Sequence, residues 1–203
     1  MAKNRKREAA AGERQARKRR ALRKTITKIV IGVGVVALLG AFFIPRAGSY
    51  SPGSSGAVIE GVQSFLNQPG HTTDPVLYPQ SPPAGGEHHP TWLNCGVYSQ
   101  AVPNVYGVHA LEHGAVWVTY DSSVTPDQLT QLREHLPSTY VVLSPYAGLP
   151  SPIVLSAWNK QLRVQSPDDP RIPEFFEEYW RSQNVPEPGA LCTGGIDGPG
   201  RVS

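Results

Sequence analysis

The chain has 203 residues, of which 19 are Lys or Arg and 16 are Asp or Glu, giving a formal net charge of +3. This charge is unevenly distributed, because residues 1–28 contain twelve of the basic residues and the rest of the chain is acidic overall. The composition therefore excludes a basic nucleic-acid-binding domain, which would carry its Lys and Arg on the folded part. The basic start of the chain is instead suited to contact with anionic membrane lipid.

An apolar segment without charged residues follows this basic arm, at 29–44. Counted from Thr25 it provides about 20 residues, the length of a helix that crosses a bilayer. We predict a basic cytoplasmic arm at 1–24 and a single-pass transmembrane helix at 25–45, with the downstream chain outside the cytoplasm because basic flanks stay inside. A cleaved signal peptide is the alternative, but the long basic region and the lack of a small-x-small site after Pro45 favour an uncleaved anchor.

The chain beyond the predicted anchor divides into three segments by composition. Gly, Ser and Pro dominate at 46–56, which predicts a flexible stalk. Residues 57–195 contain the patterned elements of an extracytoplasmic domain, and residues 196–203 are predicted to form a mobile tail. Cys95 and Cys192 are the only cysteines. On the oxidising side of a membrane, two such cysteines are expected to form a disulfide.

Hydrophobic patterning predicts the elements of this domain. Apolar spacing predicts a short helix at 57–66, and the Pro- and Gly-rich passage at 68–90 predicts an irregular loop. A capping box at 125–128 predicts a second helix, and an apolar stripe at 172–180 predicts a final one. β-branched and aromatic runs predict strands at 116–120, 140–143, 153–155 and 158–164. The expected fold class is α+β, with a mainly antiparallel sheet and two packed helices.

Five blocks of residues occur in order along this domain. They are Pro82-Pro-Ala-Gly-Gly-Glu-His88, Trp92-Leu-Asn-Cys-Gly-Val-Tyr98, Val108-His-Ala-Leu-Glu-His-Gly-Ala-Val-Trp-Val-Thr-Tyr120, Leu143-Ser-Pro-Tyr146 and Pro188-Gly-Ala-Leu-Cys-Thr-Gly-Gly195. Together they resemble a bacterial family of domains of unknown function, number 3105, from about His71 to Gly195. The resemblance implies a membrane-anchored extracytoplasmic protein, and it does not imply a particular activity.

The same resemblance singles out a set of polar residues. His88, His109, Glu112 and His113 match the signature positions of the family. Glu87 stands where the family often has proline, and His89 is an additional histidine. The sequence therefore leaves open which of His88 and His89 faces the interior of the domain.

The histidines predict a metal site. His109 and His113 are four residues apart, so on a helical turn both imidazoles lie on one face and reach one Zn²⁺ or Cu²⁺. His88 or His89, together with His71, would complete the ligand set from the Pro-rich loop. Glu112 would bind the ion or orient a histidine.

Two other interpretations of these residues stay open. His109, Glu112 and His113 would form a buried hydrogen-bond network if the domain is a structural module that binds another cell-envelope protein. The pattern His-x-x-Glu-His is also that of inverted zinc proteases, in which Glu112 would be the general base. That enzyme class needs a long helix here, and Gly107 and Gly114, on either side of the motif, argue against one.

Overall fold

The computed structural model of the chain describes residues 50–53 and 56–203. The segments predicted as basic arm and transmembrane helix lie outside these residues, as does most of the predicted stalk. Within the described part, no helix combines the length and the apolar composition needed to cross a bilayer.

A six-stranded sheet, a two-stranded sheet and three helices make up the described part of the chain. The strands are β1 Gln63–Ser64, β2 Gly70–His71, β3 Glu87–His88, β4 Gly96–Val97, β5 Val116–Tyr120, β6 Val141–Pro145, β7 Ile153–Ala157 and β8 Lys160–Val164. The helices are α1 Asn104–Glu112, α2 Pro126–Glu134 and α3 Arg171–Tyr179. These elements confirm the α+β class.

The large sheet has the strand order β1-β8-β7-β5-β6-β4. Strands β1, β8, β7 and β5 pair antiparallel, whereas β5 with β6 and β6 with β4 pair parallel. The sheet is therefore mixed, although antiparallel pairs are the majority as predicted. The parallel pair β5 and β6 is joined through helix α2, as parallel neighbours require a crossover connection.

Strand β5 separates two hydrophobic clusters, because successive side chains of a strand point to opposite faces. Val116 and Val118 pack into the cluster that contains the apolar residues of α2 and α3. Trp117 packs into the other cluster, which contains Val108 and Leu111 of α1. Helix α1 therefore covers one face of the sheet, and it is this face that carries the histidines.

The predicted strands at 116–120, 140–143, 153–155 and 158–164 are confirmed as β5, β6, β7 and β8, with shifts of one or two residues at their ends. The capping box of α2 is also confirmed: Thr125 Oγ1 accepts from Gln128 N at 3.3 Å, and Thr125 N donates to Gln128 Oε1 at 3.0 Å. The stripe of α3 is buried, with Ile172, Phe175 and Phe176 inaccessible to solvent.

Two predictions about helices are wrong. No helix forms at 57–66, because Gly61 adopts a left-handed φ of 79° and Ser64 lies in β1, paired with β8. Ile59 and Val62 still pack on the core, whereas Val58 and Leu66 are 98% and 94% exposed, so the segment does not bury the single face that a helix would present. Conversely, the domain has a third helix, α1, where only two packed helices were expected.

The end of the chain runs beside strand β4. The predicted disulfide between Cys95 and Cys192 is confirmed. Beyond it, Asn94 N donates to Ile196 O at 2.8 Å and Val97 N donates to Ser203 O at 2.9 Å. The disulfide and these hydrogen bonds hold the segment after 186 against the residues that precede α1. The mobility expected for residues 196–203 stays a prediction.

Candidate metal centre

Helix α1 positions half of the candidate site. It begins after Pro103, and it ends where His113 is the C-cap and Gly114 takes a left-handed φ of 93°. Gly107 lies inside this helix, which has nine residues and ends before Gly114, so the long helix that the two glycines argue against does not form. A Cβ at Gly107 would lie 2.9 Å from the ring of Trp117, so the absence of a side chain lets the helix pack closely on β5.

The small sheet positions the other half. Strands β2 and β3 pair in parallel, and His71 lies directly opposite His88 in the register. The His88 side chain is fully buried, whereas that of His71 is 44% exposed. The Pro-rich passage predicted as an irregular loop thus contains a short β-ladder that delivers two histidines to the helix.

Glu112 lies among three imidazoles. Its Oε2 atom is 2.8 Å from His88 Nε2, 3.4 Å from His71 Nε2 and 4.0 Å from His109 Nε2. The four candidate ligand atoms all lie within 4.8 Å of one another. Ligands at bond lengths of about 2.0–2.1 Å in a tetrahedral site are separated by about 3.3 Å. Small movements of side chains would bring these four atoms to that separation.

The other nitrogen of each buried ring contacts a backbone carbonyl. Nδ1 of His88 lies 2.8 Å from Gly86 O, Nδ1 of His109 lies 2.7 Å from His89 O, and Nδ1 of His113 lies 2.7 Å from Leu191 O. A carbonyl oxygen only accepts, so Nδ1 carries the proton and donates in each case. In a neutral ring Nε2 then has a free lone pair. A hydrogen bond that fixes tautomer and orientation in this way accompanies almost every metal-binding histidine.

The charge states of the buried groups also suit ligands. Burial lowers the pKa of His109 to about 4, although the carbonyl of His89 opposes this effect. Burial alone would raise the pKa of Glu112, but the hydrogen bond with His88 and the neighbouring imidazoles outweigh it and lower that pKa. At neutral pH His109 is therefore a neutral imidazole and Glu112 is a carboxylate, and these are the forms that bind cations.

His89 lies outside the cluster. Its Nδ1 accepts a hydrogen bond from Thr91 N at 2.9 Å, and its ring packs edge-on against Tyr106. Its backbone carbonyl contacts the cluster by accepting a hydrogen bond from Nδ1 of His109. Of the two adjacent histidines, His88 is the one that faces Glu112.

Comparison with known protein families agrees with this arrangement. Residues 71–194 match the family described as "Protein of unknown function (DUF3105)". The chain belongs to the DUF3105 family. The matched region contains every histidine of the cluster, so the resemblance carried by the five blocks is confirmed. No curated protein and no solved structure gives a significant match.

In this DUF3105 domain a further acidic side chain, which the sequence did not predict, lies beside the histidines. Glu187 Oε2 lies 3.2 Å from His113 Nε2, and its side chain is 46% exposed. His109, His113 and Glu187 form a second group whose candidate ligand atoms lie within 4.8 Å of one another. Glu187 lies five residues before Cys192, so its proximity to the disulfide was the one signal that could have indicated it.

The resulting arrangement in this DUF3105 domain is a cluster of six ionisable side chains. We call it the His/Glu cluster, and its members are His71, His88, His109, Glu112, His113 and Glu187. Trp92 packs against the rings of His109 and His113, and Trp158 packs against His88. The cluster is compatible with metal binding and with a hydrogen-bond network, and the ligand roles predicted for its histidines stay predictions.

Proposed function

We propose that this DUF3105 domain binds a transition-metal ion, zinc or copper, through the His/Glu cluster. The observation that carries the proposal is the orientation of the buried rings. Each donates through Nδ1 to a backbone carbonyl, so in the neutral ring His88 Nε2 presents a lone pair to Glu112 Oε2 at 2.8 Å. Two acceptors at this distance repel each other unless a proton or a metal cation lies between them.

A proton would stabilise only part of the cluster. If His88 is protonated, it donates to Glu112 and satisfies that pair. The Nε2 atom of His109 lies 4.0 Å from Glu112 Oε2, beyond hydrogen-bond distance, so this proton does not serve it. Protonating His109 as well would place buried imidazolium rings side by side, because the His88 and His109 ring centroids are 4.7 Å apart. One cation bound by the Nε2 lone pairs of both rings and by the carboxylate would avoid this repulsion.

The donor atoms favour zinc or copper(II) among the transition metals. Imidazole and carboxylate ligands suit these ions, whereas copper(I) prefers thiolate and thioether ligands. Both cysteines of the chain are joined in the disulfide, and Met1 is the only methionine. The cluster therefore offers nitrogen and oxygen ligands without sulfur.

Metal analysis of the purified protein tests this proposal. The full-length chain should be purified with a tag that contains no histidine, treated with a chelator, reconstituted with Zn²⁺ or Cu²⁺, dialysed and analysed by mass spectrometry of the metal. We expect at least one equivalent in the wild type and less than a tenth in a His88→Ala, His109→Ala double variant. His135→Ala, at the end of α2, is the matched control and should retain the metal. Less than a tenth of an equivalent in the reconstituted wild type would overturn the proposal.

A structural role is the second candidate function. It is favoured by the distance of 2.8 Å between His88 Nε2 and Glu112 Oε2, which is that of a hydrogen bond in an imidazolium–carboxylate pair. In that case the domain is an interaction module of the cell envelope, and the cluster holds β3 against α1. Substituting His88 would then lower the free energy of unfolding in chelator-treated protein, with no metal to lose.

Hydrolysis through the His-x-x-Glu-His pattern is not part of the proposal. A zinc hydrolase of that type would use Glu112 as a general base that activates a water molecule. The contact between Glu112 and His88 supports a ligand role for this carboxylate instead.

We also propose that the domain is anchored in the cell membrane and lies outside the cytoplasm. The support is the uncharged segment at 29–44 after a basic arm, together with a disulfide of the kind found in oxidising compartments. Membrane fractionation in alkaline carbonate, followed by protease treatment of intact spheroplasts, tests this. An anchored protein stays in the membrane fraction with its domain digested from outside, whereas release into the soluble fraction would contradict the anchor.

A further inference from the structure

We infer that the His/Glu cluster holds two metal ions, each bound by two histidines and one carboxylate. The first position consists of His71, His88 and Glu112, and the second consists of His109, His113 and Glu187. This inference rests on the proposed function, since it presupposes that the cluster binds metal.

The number and pairing of the ligands carry the inference. A single tetrahedral ion uses four ligands, whereas the cluster contains six candidate groups. These groups form two separate acceptor pairs, His88 with Glu112 at 2.8 Å and His113 with Glu187 at 3.2 Å. In both pairs the histidine donates through Nδ1 to a backbone carbonyl. In the neutral ring of His113, Nε2 therefore also presents a lone pair to a carboxylate oxygen, and these two atoms repel each other unless a proton or a cation lies between them.

His109 decides how the six groups divide. It belongs to both sets of residues whose candidate ligand atoms lie close together. Its Nδ1 atom donates to His89 O, so the ring has a single lone pair and binds one ion at a time. We assign His109 to the second ion because that set would otherwise contain only His113 and Glu187, whereas the first set keeps His71, His88 and Glu112 without it. Each ion then has three protein ligands.

A three-ligand position has specific chemical consequences. Two histidines and one carboxylate leave at least one coordination site open, as in catalytic zinc sites and in non-haem iron sites. Each position also includes one solvent-exposed ligand, His71 at 44% in the first and Glu187 at 46% in the second. An ion at either position would thus be reachable from solvent, and its open coordination site would accept water or a small anion.

The two positions have different aromatic neighbours, which permits separate detection. Trp92 lies 5.2 Å from His113 and 5.7 Å from His109 by ring centroids, whereas Trp158 lies 6.0 Å from His88. Binding of Cu²⁺ at the second position should therefore quench the fluorescence of Trp92. A Trp92→Phe variant should lose this part of the quenching and keep both ions.

Metal stoichiometry of the full-length protein tests the inference. Each sample is dialysed against the same buffered concentration of free Zn²⁺, and zinc and protein are then measured. We expect two equivalents in the wild type and one equivalent in His113→Ala, Glu187→Gln. We likewise expect one equivalent in His71→Ala, Glu112→Gln, because His109, His113 and Glu187 remain. The matched control, Glu134→Gln, His135→Ala, removes one acid and one histidine from the end of α2 and should keep two.

The outcomes separate this inference from the proposed function. If the wild type binds no zinc or copper, metal binding itself is wrong and the two-ion inference falls with it. If the wild type saturates at one equivalent, metal binding stands and the two-ion inference is overturned. It is also overturned if the wild type binds two ions and His113→Ala, Glu187→Gln keeps both, because the second ion is then held elsewhere. A wild type that saturates at one equivalent overturns the inference even if a variant fails to fold.

Discussion

The imidazole of His88 meets the carboxylate of Glu112 at 2.8 Å, and the two side chains are 0% and 4% exposed. His88 Nδ1 donates its proton to Gly86 O, so the nitrogen that faces Glu112 carries a lone pair in the neutral ring. This contact joins β3 to α1, the two elements that bring most of the histidines together.

Substituting His88 should abolish high-affinity metal binding at the first position, whereas substituting its neighbour should not. We expect His88→Ala to weaken zinc or copper binding at that position by at least 100-fold, because it removes a buried ligand whose ring is held in place by Gly86. His89→Ala should change the affinity by less than about threefold, since only the carbonyl of His89 contacts the cluster. Competition with a chromophoric chelator measures both values. Equal losses in the two variants would contradict the assignment of His88.

The metal-free protein should lose stability as the pH falls from about 6.5 to about 4. The pKa of His109 is lowered to about 4 by burial, so over this range the unfolded chain binds a proton that the folded protein excludes. The lowered pKa of Glu112 acts in the same direction. A tenfold change in proton affinity is worth about 1.4 kcal/mol, so His109 contributes on the order of 3 kcal/mol.

Urea denaturation in the presence of a chelator, at pH 7 and at pH 4.5, measures this effect. The decrease should be smaller in His109→Gln, which cannot titrate. A wild-type free energy of unfolding that is constant or rises on acidification would show that His109 is not held neutral by burial.

Removing the disulfide should destabilise the domain and disturb the second metal position more than the first. Cys95 and Cys192 are 97 residues apart, and closing a loop of that length contributes about 4–5 kcal/mol in the entropic model. The segment ending at Cys192 also carries Glu187 and the carbonyl of Leu191, which accepts from His113. In Cys95→Ser, Cys192→Ser we expect a lower free energy of unfolding in urea and a loss of zinc from the second position first. A double variant that loses both ions together would contradict separate positions.

Close packing of α1 on β5 should be sensitive to a single methyl group. In Gly107→Ala the new Cβ would lie 2.9 Å from the Trp117 ring, which is fully buried and donates through Nε1 to Ser144 Oγ. Such overpacking costs about 1–3 kcal/mol, and it should also displace His109 and weaken metal binding. Gly148→Ala is a suitable comparison, because its left-handed φ carries a modest cost but no atom lies within 4 Å of the new Cβ. Similar unfolding curves for the two variants would argue against tight packing at Gly107.

The parts of the fold that the sequence predicted are those with local physical causes. The β-branched runs of β5 and β7, the capping box before α2 and the apolar stripe of α3 act over a few residues, and each was confirmed. The spacing of His109 and His113 suggested a helical turn, and Gly107 and Gly114 argued against a long helix. The nine-residue α1 includes Gly107, where a Cβ would meet the ring of Trp117, ten residues later, so the suitability of glycine depends on this tertiary contact.

The candidate site likewise has features that follow from local sequence patterns and features that depend on tertiary contacts. The pairing of His109 with His113 follows from their spacing, and the Pro-Pro-x-x-Gly-x-His block indicated that a second strand of chain would bring His88. The choice of His88 over His89 depends on the register of β2 and β3, which no local pattern encodes. Glu187 lies far from the other members in sequence and is brought to His113 by the segment that the disulfide holds. Long-range contacts of this kind follow from the tertiary structure alone.

X-ray absorption spectroscopy of the zinc- or copper-reconstituted full-length protein tests metal binding by the His/Glu cluster most directly. The spectrum reports both the distance and the type of atoms bound to the metal. We predict a first shell of nitrogen and oxygen at about 2.0–2.2 Å with the outer scattering of imidazole and no sulfur, and loss of the imidazole signal in His88→Ala, His109→Ala. A protein that holds no metal after reconstitution, or a spectrum without imidazole ligands, would contradict the account.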